Sequence, residues 1–125
     1  MTTRLVVLLV NTDPRNAGEL GAPFYQAATA AALDYEVDVV CAAQAAELMR
    51  RGVPERLYVK PGSPMSVHDF IKEAHGLGVR FWCCSASLAL FDMTEADLIA
   101  ECGGIIGMAG VIRDIMEDTC KVLTY

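Results

Sequence analysis

A continuous aliphatic run at residues 5–10 constrains the fold more than any other feature of this sequence. A strand with one face in water alternates apolar and polar residues, whereas a strand covered on both faces is apolar along its length. Strands of the second kind belong mostly to parallel sheets, because the crossover connections of a parallel sheet place helices on both faces. The run therefore predicts a central strand of an α/β protein.

Strand-like and helix-like segments alternate along the chain, which is typical of a parallel sheet with helices on both faces. We expect residues 1–125 to form one α/β domain of about five strands, a three-layer sandwich similar to flavodoxin and Rossmann folds. The predicted strands are 5–10, 36–40, 79–83, 104–106 and 120–124. The predicted helices are 22–33, 44–51, a helix capped by Ser66 and Asp69, 85–91, a helix from Thr94 toward Glu101, and 108–116, with a loop at 52–64 over one edge of the sheet.

The charge of the chain argues against two classes of partner. Sixteen acidic and ten basic residues give a net charge of −6, and the basic residues are scattered. Because nucleic acids and anionic membranes are bound by clustered basic residues, we expect neither as a partner.

No apolar stretch approaches the roughly 18 residues of a membrane span, and the run at 5–10 is too short for a signal peptide.

Apolar content indicates a partner of another kind. Hydrophobic residues make up 54% of the chain. A small domain leaves much of its surface outside its single core, so part of this apolar surface is expected to meet another subunit. The composition therefore predicts a homo-oligomer.

The five cysteines have neither the number nor the spacing of a disulfide scaffold. An odd set of this kind fits free or reactive thiols in a reducing cytoplasm, which is where we expect the protein. A structural zinc site is poorly supported, because no Cys-x-x-Cys pair occurs. The cysteines are Cys41, Cys83, Cys84, Cys102 and Cys120.

The segment Cys83-Cys84-Ser85-Ala86-Ser87 joins a predicted strand to a predicted helix. A helix N-terminus carries unpaired N–H groups and roughly half a positive elementary charge, which stabilise a thiolate. Because side chains alternate along a strand, Cys83 and Cys84 should point in different directions. We select Cys84, the cysteine closer to the helix, as the nucleophile. If Cys84 carries a transferred sulfur atom, three roles stay open for Cys83: receiving that sulfur atom, resolving a trisulfide-like intermediate or packing inertly.

Other polar or thiol groups are predicted at the same edge of the sheet. Asn11 and Cys41 follow the first two strands, and ligands of parallel sheets gather at the carboxyl ends of the strands. Ser85 and Ser87 are expected to cap the helix or to donate hydrogen bonds to a sulfur anion. A nucleophilic, accessible thiolate beside anion-stabilising groups is what a sulfur carrier needs, and such a carrier requires no metal or organic cofactor.

The chain resembles the DsrE/DsrF/TusD group of small sulfur-relay proteins over nearly its full length. Residues 30–37 resemble the alanine-rich first helix of that group running into the second strand. Residues 78–87 resemble its cysteine loop, in which a cysteine is followed three residues later by a serine, and this spacing selects Cys84 and Ser87. Residues 91–99 and 104–107 resemble the acidic helix start and the next strand and turn. The departure from the pattern is the second cysteine, Cys83.

The resemblance implies a DsrE-like fold, a trimer or a hexamer, and a persulfide carried by Cys84 in cytoplasmic sulfur metabolism, with sulfur oxidation favoured over sulfite reduction and tRNA thiolation. It implies TusA-like or rhodanese-like sulfur-transfer proteins as partners, and small sulfur anions such as thiosulfate or polysulfide. Two alternatives stay open. One is a non-catalytic assembly subunit of a sulfur-relay complex. The other is a thiol-disulfide redox protein, although adjacent cysteines can bridge only through a strained ring.

Overall fold

In the computed structural model, which describes residues 3–125, five strands form one sheet. They are β1 (Arg4–Leu9), β2 (Glu36–Cys41), β3 (Arg80–Cys84), β4 (Cys102–Ile106) and β5 (Cys120–Thr124). All neighbouring strands are parallel, and their order across the sheet is β4-β3-β2-β1-β5. The predicted α/β fold with a parallel sheet is confirmed.

Within residues 3–125, four α-helices connect or follow the strands: α1 (Gly21–Ala32), α2 (Val67–Gly76), α3 (Ser85–Leu90) and α4 (Met108–Ile115). Two hydrogen bonds at the start of α2 explain why the helix begins there. The Ser66 hydroxyl accepts a hydrogen bond from the Asp69 N–H at 3.1 Å, and the Asp69 carboxylate accepts one from the Ser66 N–H at 2.9 Å. This reciprocal capping box is the one that the sequence predicts.

The helices are divided unequally between the two faces of the sheet. The chain crosses the sheet in one direction from β1 to β4 and then returns to the far side of β1 for β5. Because crossovers in parallel sheets are right-handed, this reversal moves the last helix to the opposite face. On the first face, Phe24 of α1 and Ile71 of α2 pack in the main core with Val7, Val39 and Phe81.

The second face is covered by α4 and has a smaller core. Val111 of α4 packs there with Val6 of β1 and Val40 of β2. Side chains alternate along each strand, so neighbouring residues of β3 belong to different faces. Cys83 lies in the main core, whereas Cys84 pairs with Ile106, which packs against the second core.

A register shift between β3 and β4 determines the pairing of Cys84 with Ile106. Phe81 pairs with Cys102, but Cys84 pairs with Ile106, so β4 contains one additional residue. Gly104 lies within the shift and has a φ of +138°, a value that side chains rarely allow. A β-bulge of this kind bends the strand locally, which fits its position beside the candidate site.

For two segments the predicted secondary structure is wrong, because the helices are short 3₁₀ helices. The segment predicted as a helix at 44–51 is a 3₁₀ helix at Ala43–Met49, and the one predicted from Thr94 toward Glu101 is a single 3₁₀ turn at Glu95–Asp97. The capping box of Thr94 is present. Both helices stop early because Arg50 and Leu98 form an isolated antiparallel bridge, which requires extended backbone in both segments.

Candidate functional site

Cys84 lies at the junction between a strand of the sheet and the helix that follows it. It is the last residue of β3 and the N-cap of α3, as the position of the cysteine pair predicts. Its side chain is enclosed, with only 4% of the residue exposed to solvent. The backbone of Cys84 is extended, and no side chain caps the helix. The candidate nucleophile is therefore placed at the carboxyl edge of the parallel sheet, where α/β proteins keep their reactive groups.

Cys83 belongs to the hydrophobic core rather than to the same surface. It is fully buried, and its Sγ points toward the carbonyl oxygen of Ala46 at 4.0 Å. Burial raises the pKa of Cys83 to about 12, with smaller contributions from Cys102 and Cys84. A thiol in this state is neutral near pH 7 and is a poor nucleophile. Of the three roles left to Cys83 by the sequence, the geometry favours inert packing.

The remaining thiols are also in environments that favour the neutral form. Cys41 pairs in register with Cys83 and is fully buried, and burial raises its pKa well above the ordinary value. Burial also raises the pKa values of Cys102 and Cys120, which are partly exposed. Cys41 thus packs beside Cys83 on the first face and does not line a pocket around Cys84.

The two serines of the cysteine segment have different positions, and neither of them caps α3. Ser85 is exposed. Ser87 is buried, and its Oγ accepts a hydrogen bond from the backbone N–H of Ala43 at 2.7 Å. Ala43 has a φ of +52°, which is uncommon for a residue with a side chain. Ser87 therefore ties the first turn of α3 to the segment that follows β2.

Asn11 follows β1 at the same edge of the sheet and is exposed. Its backbone N–H donates to the carbonyl of Tyr125 at 2.9 Å. Since β2 lies between β1 and β3, about 10 Å separates the two strand ends. The structure therefore does not bring Asn11 together with Cys84.

A polar cluster that sequence reasoning missed lies on the second face. The carboxylate of Asp38 accepts hydrogen bonds from Arg4 at 2.7 Å, from Arg80 at 2.8 Å and from the Trp82 indole N–H at 2.9 Å. Burial alone would raise the pKa of Asp38, but these bonds together lower it. The available signal was one aspartate, Asp38, within the buried apolar part of β2 that follows the exposed Glu36. The cluster lines a cavity of about 280 Å³, which Asp114 of α4 also borders.

Within residues 3–125, no helix has both the length and the apolar character needed to cross a lipid bilayer.

This fold also occurs in solved structures of other proteins. The ychN protein from E. coli aligns over 100% of both chains with a TM-score of 0.76 and 16% identity. A protein described as of unknown function, MTH1491 from Methanobacterium thermoautotrophicum, aligns over 98% of both chains with a TM-score of 0.70 and 19% identity. At these identities the likeness establishes the fold alone.

The sequence itself gives the family. No curated protein matches the chain. The DsrE/DsrF-like family, however, matches residues 5–125, a range that contains all five strands except the first residue of β1, as well as the cysteine pair. The chain therefore belongs to the DsrE/DsrF-like family.

Proposed function

We propose that this protein is a sulfur-relay protein that carries sulfane sulfur as a persulfide on Cys84 and passes it to a partner thiol. The observation that carries the proposal is the position of Cys84 at the carboxyl end of β3, where α3 begins. The pKa values of the other four thiols are raised by burial, which reduces their thiolate populations. Membership of the DsrE/DsrF-like family supports sulfur as the group transferred.

The proposed reaction has two displacement steps and no net redox change. In the first step, the Cys84 thiolate attacks the sulfane sulfur of a donor, an S–S bond forms on Cys84, and the donor's S–S bond breaks. With thiosulfate the leaving group is sulfite, and with a polysulfide it is the shortened polysulfide. In the second step, a partner thiolate attacks the terminal sulfur, which leaves with the partner, and the Cys84 thiolate is regenerated.

The partners proposed for this relay are TusA-like or rhodanese-like sulfur-transfer proteins, and the favoured setting is sulfur oxidation. Intact-mass measurement after incubation with polysulfide tests the function itself. A carrier gains the mass of one sulfur atom, and the gain is reversed by a reducing thiol. A non-catalytic assembly subunit gains nothing under the same conditions.

Cys83→Ala should keep full sulfur loading, because the Cys83 side chain is in the core on the opposite face from Cys84. The same substitution should lower stability by about 1 kcal/mol, since it removes a buried sulfur from a packed core. Intact mass after polysulfide treatment and chemical denaturation measure the two effects. Loss of loading in a folded Cys83→Ala protein would show that the two cysteines work as a pair.

Self-association is a separate prediction. Along α4 and its C-cap residue, the side chains of Met108, Ile112 and Met116 form an apolar stripe, and Met116 is 75% exposed. Isolated domains rarely leave such a stripe in water, so we expect a homo-oligomer with this stripe at a subunit contact. The family resemblance favours a trimer or a hexamer. Light scattering measures the mass, and Ile112→Asp should shift it toward the monomer. A wild-type mass of 13.5 kDa at micromolar concentration would contradict the prediction.

A further inference from the structure

A groove beside the edge strand β5 leaves apolar side chains of the first face in water. Leu123 of β5 pairs with Val7 of the main core, so it lies on the same face of the sheet as α1. The helix α1 packs against β1 and β2, and a groove of about 500 Å³ remains between α1 and β5. Tyr25 and Leu33 line the groove and are 75% and 65% exposed. Large apolar groups in water are typical of a surface that another molecule covers.

The helix that borders this groove is uncharged. None of the twelve residues of α1 carries a charge, although the helix lies at the surface. Charged side chains are depleted where two proteins meet, so this composition fits a contact surface. The charged residues that line the groove are Arg4 and Lys121, and both are basic. Arg4 is already bonded to Asp38, whereas Lys121 is exposed. A partner that fits the groove is therefore apolar and carries negative charge beside its apolar residues.

The apolar stripe along α4 has matching length and charge. Its three side chains, within Met108–Met116, are spaced four residues apart and form a ridge about 12 Å long. The wall that α1 and its C-cap residue give to the groove, Tyr25–Leu33, spans the same number of residues. Residues 113–118, at the C-terminal end of the ridge, include three acids and one base. The ridge therefore ends in a net negative charge, which complements Lys121.

The stripe and the groove lie on opposite faces of the sheet. The helix α4 covers the second face through Val111, whereas α1 covers the first face through Phe24. A chain therefore cannot fill its own groove with its own stripe. Two copies cannot make both contacts at once either, because the two chains would have to face each other from both sides. A contact between unlike surfaces repeats head to tail, so a closed assembly needs at least three copies.

We propose that the α4 stripe of one copy docks into the groove between α1 and β5 of the next copy, and that this contact repeats around a closed ring. The occupant of the groove is a second copy of this chain. Lys121 at the groove lies against the acidic end of the α4 that enters it. The inference does not depend on sulfur transfer, since neither surface includes Cys84.

Two substitutions break opposite halves of this contact. Ile112→Asp places a carboxylate in the stripe, and Leu33→Glu places one in the groove. Both side chains are at least half exposed in the single chain, so the fold should be kept. Each substitution should weaken self-association by about a hundredfold or more, because it buries an unpaired charge in an apolar contact. Light scattering should return a monomer for each variant at micromolar concentrations that keep the wild type assembled.

An equal mixture of the two variants is the decisive test. The Ile112→Asp chain keeps an intact groove and the Leu33→Glu chain keeps an intact stripe, so a mixed pair can form one contact and no more. Because a single contact lacks the avidity of a ring, the mixture and each variant alone are measured at about 100 μM. We expect a heterodimer in the mixture, identified by native mass spectrometry. A mixture that stays monomeric, or a Leu33→Glu protein that keeps the wild-type mass, would overturn the inference.

Lys121→Glu tests the charge at the groove, and Lys60→Glu is its matched control. Both lysines are exposed, and both substitutions change the net charge equally, but Lys60 lies outside the groove. Lys121→Glu should weaken association about fivefold, as expected when a surface ion pair is replaced by repulsion. Lys60→Glu should leave the association constant nearly unchanged. Equal weakening in the two variants would show that only the overall charge matters, which would count against the docking.

Discussion

Cys84→Ser is expected to abolish stable sulfur loading, reducing it from one sulfur atom per chain to background. The serine hydroxyl is nearly the same size as the thiol, so the N-cap position and the start of α3 should be kept. What is lost is the sulfur nucleophile, since only a thiolate exchanges with a sulfane sulfur under mild conditions. Intact mass after polysulfide treatment measures the loss, and circular dichroism checks the fold.

Cys120→Ser is the matched control for this experiment, because Cys120 is partly exposed and lies at the start of β5, at the opposite end of the sheet. It should load as the wild type does. Cys41→Ser and Cys102→Ser should also keep loading, provided that they fold. Full loading of Cys84→Ser, with the adduct mapped to Cys83 or to another cysteine, would show that a different sulfur carries the activity.

Asp38→Asn should destabilise the fold strongly, because it removes the charge at the centre of the polar cluster on the second face. The carboxylate is 5% exposed and receives bonds from two guanidinium groups and one indole. The substitution leaves Arg4 and Arg80 beside a neutral amide. Because these arginines remain partly solvated, we expect a loss of about 2–3 kcal/mol, below the ~3–5 kcal/mol of a fully enclosed pair. Denaturant unfolding near pH 7 measures it.

Asp114→Asn is the control, since Asp114 contacts the same Arg4 at 3.0 Å but is more exposed. Its effect should stay below about 1 kcal/mol, as for other surface pairs. If both substitutions lowered the free energy of unfolding equally, Asp38 would not be the main stabilising residue of the cluster.

The Asp38 cluster also predicts a pH dependence. The pKa of Asp38 is lower in the folded protein than its usual value near 4, so its stabilisation is present above about pH 4 and is lost as the pH falls through the folded pKa. The difference in unfolding free energy between the wild type and Asp38→Asn should therefore shrink on acidification below about pH 4. A difference that stays constant down to about pH 2 would contradict the assignment.

The parallel sheet was predictable because its signals are local. The aliphatic run at 5–10 becomes β1 at Arg4–Leu9, and the Ser66 capping box starts α2 at the predicted residue. The helix expected after Thr94 was not predictable in the same way. Its capping box is real, but the pairing of Leu98 with Arg50, in a distant part of the sequence, ends the helix after one turn. Long-range pairing of this kind overrides local propensity.

The candidate site also has some features that the local sequence predicts and others that depend on long-range contacts. Alternation along β3 predicts that Cys83 and Cys84 point to opposite sides, but only the packed structure decides which side is the main core. The enclosure of Cys84 and the hydrogen bond between Ala43 and Ser87 depend on contacts between distant segments, and no sequence spacing marks them. The cluster around Asp38 joins side chains of three strands, so the sequence did not predict it. The one local indication was a single charged residue within the apolar part of β2.

Transfer of labelled sulfur through one mapped cysteine tests the central claim most directly. The wild-type protein is loaded with polysulfide labelled with a heavy sulfur isotope, freed of donor, mapped by fragment mass spectrometry, and mixed with an excess of an acceptor thiol. We predict one labelled sulfur atom on Cys84, followed by its appearance on the acceptor and the return of the protein to its original mass. Label that never binds Cys84, or that binds and is not passed on, would contradict the account.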